Sequence, residues 1–255
     1  MKNWGIRFLS FFILHSSFFI AAPAALAAPQ DEARFERTFA DAARTYDENR
    51  LADAIAGWES LVDEGQKLPE VLFNLGNAHY RNGNLGKAIL AYRQAQRLAP
   101  RDPDIRANLG FAAQSAGIAL PVRKPLAALL LDASREEWLA SGSAGFWLLS
   151  LSLATWILWP RFRFISRPAA AVSAAWLLLA LAGLWMHRDL RRTPEGVVMV
   201  RDQMVRSSPL ETSTPLLAVP EGAIVRKLDE RGNWLEIRYD ATRGWLPADV
   251  VSPVL

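Results

Sequence analysis

Residues 69–102 read PEVLFNLGNAHYRNGNLGKAILAYRQAQRLAPRD, and the reading of this stretch decides the architecture. Small and apolar residues recur at helical spacing on both sides of Gly83-Asn84, and Pro100 stops the second run. The pattern predicts two antiparallel helices joined by a short turn. Gly76 and Ala88 are small where the helices cross, Leu75 and Tyr92 fill the space around the crossing, and Gly83-Asn84 serves the turn. A shift of 34 residues toward the N-terminus places Ala42, Tyr46, Ala54 and Trp58 on Gly76, Tyr80, Ala88 and Tyr92. Asp41 then stands where the second copy has Leu75. The opposite shift makes Pro103 the start of a third first-helix, with Asn108-Leu109-Gly110 on Asn74-Leu75-Gly76. Gly117 and Pro121 interrupt what would be its partner helix.

Leu75-Gly76, Tyr80, Gly83, Ala88, Tyr92, Ala95 and Pro100 closely resemble the tetratricopeptide repeat, which implies an all-α solenoid over 35–118. Two and a half repeats fall near the minimum of about three for stable stacking, so a partner or residues 125–137 are expected to cover the open end. In this family the inner surface of the stacked first helices binds extended peptides or partner helices. The resemblance implies Phe39 and Tyr46, then Phe73, Asn77, Tyr80 and Arg81, then Phe111 and Gln114 as the inward residues. The alternative is that these aromatics simply pack between repeats. Phe73 occupies the position where the acidic-tail-binding subtype carries a lysine, so acidic chaperone tails are not expected. His79 takes a position usually held by an aromatic and is expected to pack as one.

Around this core the composition is uneven. The chain has 255 residues, no cysteine, three histidines and a net charge of +3. Lack of cysteine removes disulfides, thiol nucleophiles and cysteine metal sites, and three histidines make a histidine metal centre improbable. Residues 1–28 are expected to be an export signal, with Lys2 and Arg7, an apolar run Phe8–Ile20 and the small-residue site Ala25-Leu26-Ala27. Phe8–Ala28 would alternatively serve as an uncleaved anchor.

Two charge-free runs follow, Trp138–Trp159 and Pro168–Met186. At 1.5 Å per helical residue each matches a hydrocarbon core of about 30 Å, so 138–159 and 168–187 are expected to be transmembrane helices. Trp138, Trp156, Trp159 and Trp185 lie near the span ends, where indole rings favour the headgroup interface. Arg161, Arg163 and Arg167 in the intervening loop 160–167, with no acid among them, place that loop in the cytoplasm and both flanking segments outside it. Arg188, Arg191 and Arg192 vote weakly the other way. Residues 119–137 are read as a linker or an interfacial helix.

Beyond Gly196 short alternating runs are punctuated by turns: Val197–Val205, Ala223–Leu228, Trp234–Tyr239 and Val250-Val251, with turns at 229–232 and 240–243. Val205-Arg206-Ser207-Ser208-Pro209, Leu217–Gly222, Gly232-Asn233-Trp234-Leu235 and Gly244-Trp245-Leu246-Pro247-Ala248-Asp249 closely resemble bacterial SH3 domains, implying an all-β SH3-like barrel over 194–255. Trp234 and Trp245 either line a ligand groove or pack the barrel.

Signal, tetratricopeptide solenoid, transmembrane α-hairpin and SH3-like barrel, in this order, resemble the E-type Bat proteins of aerotolerance operons. That resemblance implies an inner-membrane protein with both soluble parts in the periplasm. It also implies membrane-anchored von Willebrand A-domain proteins, and through them a MoxR-type ATPase, as partners. A second reading is a peptidoglycan-binding module that recruits cell-wall enzymes. No cofactor, metal site, catalytic residue or nucleic-acid partner is expected. Ser207, Ser208 and His79 are the only tempting groups for an enzyme, and no nucleophile elbow, metal spacing or phosphate loop surrounds them.

Overall fold

The computed structural model of the chain describes residues 29–121, 130, 132–192 and 194–254. The expected export signal over 1–28 lies outside them, as do residues 122–129 and 131 of the expected linker or interfacial helix. The helical region comprises α1 (Pro29–Asp47), α2 (Leu51–Asp63), α3 (Pro69–Arg81), α4 (Leu85–Leu98) and α5 (Pro103–Ser115). Proline opens α3 and α5, where its missing N–H costs no helical bond. Asp102 caps α5, its side chain accepting from the N–H groups of Asp104 and Ile105 at 2.9 and 3.1 Å. Asn49 and Gly83, 34 positions apart, take left-handed φ of 61° and 78° in the turns that end α1 and α3. The repeat thus extends to turn geometry. Trp58 and Tyr92 are the largest fully buried side chains, at equivalent positions of the two repeats. A Cβ on Gly76 would lie 2.6 Å from Tyr92 Cδ1 and Cε1, so the ring sits directly against the α3 backbone.

The C-terminal part is an antiparallel sheet of β1 (Glu195–Val198), β2 (Gln203–Arg206), β3 (Pro215–Val219), β4 (Ile224–Arg231), β5 (Trp234–Tyr239), β6 (Thr242–Pro247) and β7 (Val251–Pro253), ordered β3-β2-β6-β5-β4-β1-β7. Val197–Val205, expected as one strand, is two. The chain turns at Arg201-Asp202, where Asp202 has φ 52°, and β1 and β2 then pair with different neighbours. The hairpin turns are tighter than expected. Gly232-Asn233 and Asp240-Ala241 suffice, the first residue of each at positive φ. Val198, Val205, Val225, Leu235, Ile237 and Leu246 form the inner face.

This sheet also covers the open end of the solenoid. Among the described residues the cover comes from the sheet, since Val197, Ile224 and Val254 join one buried cluster with Ala88, Ile89 and Tyr92 of α4 and Leu109, Ala112 and Ala113 of α5. These are the faces a second helix of the third repeat would cover. Polar contacts hold α4 at three levels. Asn84 makes no side-chain cap at its N-terminus, and the Glu221 carboxylate instead accepts from the Gly86 N–H at 3.0 Å. Midway, Arg93 donates to Glu195 Oε2 at 2.9 Å through Nε and 2.7 Å through Nη2, both side chains largely buried. Near the C-terminus, Gln94 and Arg97 donate to the carbonyls of Pro253 and Val254 at 3.4 and 3.2 Å.

Gly222 makes the approach possible. Its φ is +86°, and a Cβ there would lie 2.6 Å from Ile89 Cδ1 and 3.0 Å from Ile118 Cδ1. Gly222→Ala is therefore expected to destabilise the junction by about 1–3 kcal/mol, through backbone strain and overpacking together. The urea midpoint of the purified protein, compared with wild type, checks this.

Between the two parts, α6 (Arg135–Leu158) and α7 (Arg163–Arg192) form an antiparallel hairpin, joined by Trp159 and a 3₁₀ turn at Pro160–Phe162. The eight-residue loop expected at 160–167 is shorter, since Arg163–Arg167 already belong to α7 and Pro168 sits in its second turn. Both helices are long and apolar enough to cross a membrane. Their seam is lined by small residues. A Cβ on Gly142 would lie 3.3 Å from that of Ala180, and one on Gly145 3.0 Å from Trp176 Cδ1. Trp138, in the first turn of α6, is 7% exposed. Gly183 leaves room for its indole, whose N–H donates to the Leu130 carbonyl at 2.9 Å. Phe146, Trp147, Leu151, Ile157, Leu178 and Trp185 face outward from the hairpin.

Candidate functional site

Helices α1, α3 and α5 are the first helices of successive repeats, and one face of the array forms a groove of about 240 Å³. Tyr46 comes from α1, Asn77, Tyr80 and Arg81 from α3, Tyr92 from α4, and Asn108 and Phe111 from α5. Phe111 is 62% exposed on the rim. Among the described residues no carboxylate lines the groove.

Its floor is a hydrogen-bond network. Asn77 Oδ1 accepts from the Tyr92 hydroxyl at 2.7 Å and from Asn108 Nδ2 at 2.9 Å, which uses both carbonyl lone pairs. Burial, and then the neighbouring Tyr46, push the Tyr92 hydroxyl above its ordinary pKa, so it stays protonated and donating. Arg81 lies over the Tyr46 ring at 4.4 Å from the centroid and donates to Asn49 Oδ1 at 2.9 Å. Tyr80 and Ser115 share a hydrogen bond of 3.0 Å between their hydroxyls. The groove therefore presents one immobilised cation, aromatic edges and amide groups held in place. That set suits the backbone and side chains of an extended protein segment.

Of the eight inward candidates, Tyr46, Asn77, Tyr80, Arg81 and Phe111 meet around this groove. Phe39 packs beside Trp58 at 6.5 Å between ring centroids, and Phe73 beside Tyr92 at 6.0 Å. Gln114 is exposed on α5, outside the lining. Two lining residues, Tyr92 and Asn108, were not among the candidates. Tyr92 reads in sequence as filler for the helix crossing, and only its hydroxyl, which a phenylalanine would lack, hints at a second role. Asn108 carries the signal of its match to Asn74 but sits one repeat away from the amide it joins.

His79 packs as its position implies, 3% exposed. Glu59 lies 3.6 Å from Nε2 but is half-exposed and also lies 3.7 Å from Lys87. Burial therefore dominates, with Lys87 adding to it, and lowers the His79 pKa from 6.5 to about 4. The folded ring stays neutral where an unfolded histidine takes up a proton, so stability falls as pH drops from 6.5 toward 4. At 1.36 kcal/mol per pH unit the loss at pH 4.5 is about 2–3 kcal/mol. Urea titrations at pH 7 and 4.5 should show this loss in wild type and a smaller one in His79→Phe.

In the sheet, cross-strand pairing puts Trp234, Glu236 and Trp245 on the face opposite Leu235, Ile237 and Leu246. Trp245 is nonetheless 6% exposed, with the Arg231 guanidinium 5.2 Å from its ring centroid. Arg243 donates to both oxygens of Glu236 at 2.6 and 2.9 Å and holds that carboxyl below its usual pKa. Trp234 is half-buried on the same face. Ser207 and Ser208 lie in the segment after β2, apart from His79 in α3. Among the described residues no group of three or more acidic or histidine side chains is placed to hold a metal.

The tetratricopeptide repeat family matches residues 69–102, the stretch that supplies α3, α4 and four of the seven groove residues. Comparison with curated proteins finds no match. The repeat points to a protein–protein interaction module.

Proposed function

We propose that this chain is a non-catalytic, membrane-anchored adaptor whose solenoid groove holds a segment of a partner protein outside the cytoplasm. The observation that carries the reading is the groove itself, with Asn77, Tyr80, Arg81 and Phe111 converging on space that no side chain among the described residues fills. The α6–α7 hairpin supports anchoring. Its outward faces carry large apolar side chains along much of their length, far more than a water-exposed helix pair tolerates. The antiparallel hairpin also returns the chain to its starting side, so the solenoid and the sheet share one compartment. The arginines at 161, 163 and 167 favour the cytoplasm for the turn and hence the periplasm for both soluble parts. Alkaline phosphatase fused after residues 120, 164 and 255 should give active, inactive and active enzyme.

On the resemblance to E-type Bat proteins, the partners are membrane-anchored von Willebrand A-domain proteins, the β-sheet part is SH3-like, and the setting is envelope stress or aerotolerance. Crosslinking followed by precipitation of the full-length protein from solubilised membranes should recover such proteins. The Asn77→Ala/Tyr80→Ala variant should recover few of them. Recovery of none by wild type contradicts the partner assignment. The second reading, peptidoglycan binding, draws on Trp234 and Trp245 sharing one face of the sheet. It predicts enrichment of the full-length protein on purified sacculi, which the adaptor reading does not.

A further inference from the structure

The groove and the sheet meet the same helix from opposite sides. Tyr92 directs its hydroxyl to Asn77 at the groove floor, while its ring belongs to the buried cluster that includes Val197 and Ile224 of the sheet. The next residue, Arg93, carries the buried ion pair to Glu195. Two features keep a disturbance at Tyr92 from being absorbed locally. The ring lies against the α3 backbone at Gly76, with no room to tilt toward it. The other end of α4 is tied to the sheet by Glu221 at Gly86. A ligand that hydrogen-bonds to Asn77 Oδ1 competes with the Tyr92 hydroxyl, because both lone pairs of that oxygen are in use. A buried hydroxyl stripped of its partner is costly, and the relief open to it is movement of α4 as a body.

We propose that the groove is coupled to the docking of the β-sheet domain through Tyr92 and Arg93, so that a ligand engaging Asn77 loosens the sheet's hold on α4. By linkage, a partner that pulls on the sheet changes the groove's affinity by the same factor. The proposal rests on the groove being the binding site, but its test uses no ligand, so failure to find a partner and failure of the coupling are separate results.

The test is hydrogen-exchange mass spectrometry of the full-length protein in lipid nanodiscs, comparing wild type, Asn77→Ala, Phe111→Ala and the double variant Asn77→Ala/Tyr92→Phe. Asn77→Ala removes the acceptor of the Tyr92 hydroxyl, leaving Asn108 as its remaining side-chain partner, and should speed exchange in the peptides over β1 and β7 by about fivefold or more, at the low end of usual site-to-site couplings. The double variant, which also removes the hydroxyl that has lost its acceptor, should return those peptides toward the wild-type rate. Phe111→Ala, on the rim, should leave them unchanged. Unchanged β1 and β7 exchange in Asn77→Ala overturns the proposal. So does acceleration that extends equally to α2, or acceleration that Tyr92→Phe does not reverse.

Discussion

Replacing Glu195 with alanine is expected to lower the stability of the soluble part by about 3–5 kcal/mol, the usual cost of leaving one member of a buried ion pair without its partner. Arg93 donates to Glu195 twice and is itself buried, with Gln96 Oε1 as its remaining side-chain acceptor. Alanine leaves a buried guanidinium without the carboxylate it pairs with. Either the sheet separates enough to admit water, or the charge stays buried at full cost. The thermal midpoint should fall by roughly 10 °C. The double variant Arg93→Met/Glu195→Leu should recover most of that loss, because a buried pair replaced by apolar groups of similar size is often neutral or better. A single-variant loss within 0.5 kcal/mol, the usual range for surface substitutions, would show that the junction contributes little.

The second large effect is expected at Tyr92. Truncation to alanine removes a fully buried ring from the cluster shared by α4, α5 and the sheet, and should cost about 3–5 kcal/mol. It also removes the donor that fixes Asn77. Phe111→Ala makes the informative contrast. That side chain stands mostly in solvent, so stability should stay within about 0.5 kcal/mol of wild type, while capture of a partner falls sharply. Urea titration and co-precipitation of the two variants side by side separate a folding role from a contact role.

The repeat is legible in the sequence because its signal is local: Gly76, Ala88 and Tyr92 answer to one helix crossing, and Pro103 opens a helix wherever it is packed. The membrane-length hairpin is legible for the same reason, a run without charge. The junction is not. Arg93 and Glu195 lie 102 positions apart, and neither carries a pattern that names the other. Glu221 likewise reads as an ordinary turn residue until it caps α4. The strand plan failed where the turn lacked its usual markers. Arg201-Asp202 contains neither glycine nor proline, and β3 begins at Pro215 and shows no alternation, with its first four residues all exposed. Trp138 stands at a span end, and nothing in its local sequence names Gly183, against which its ring packs. In the groove, sequence spacing found the residues that face inward on the first helices, but it could not separate Phe39 and Phe73, which pack beside Trp58 and Tyr92, from Tyr80 and Phe111, which line the groove.

The most direct test is a photo-crosslinking residue placed at Phe111 of the full-length, membrane-embedded protein in its native cells, with the same residue at exposed Leu98 of α4 as the control. A discrete protein adduct should form from position 111, be absent from 98, and disappear when Tyr80→Ala and Arg81→Ala are combined with it. No adduct at 111, or equal adducts at both positions that survive those substitutions, would contradict a protein-binding groove.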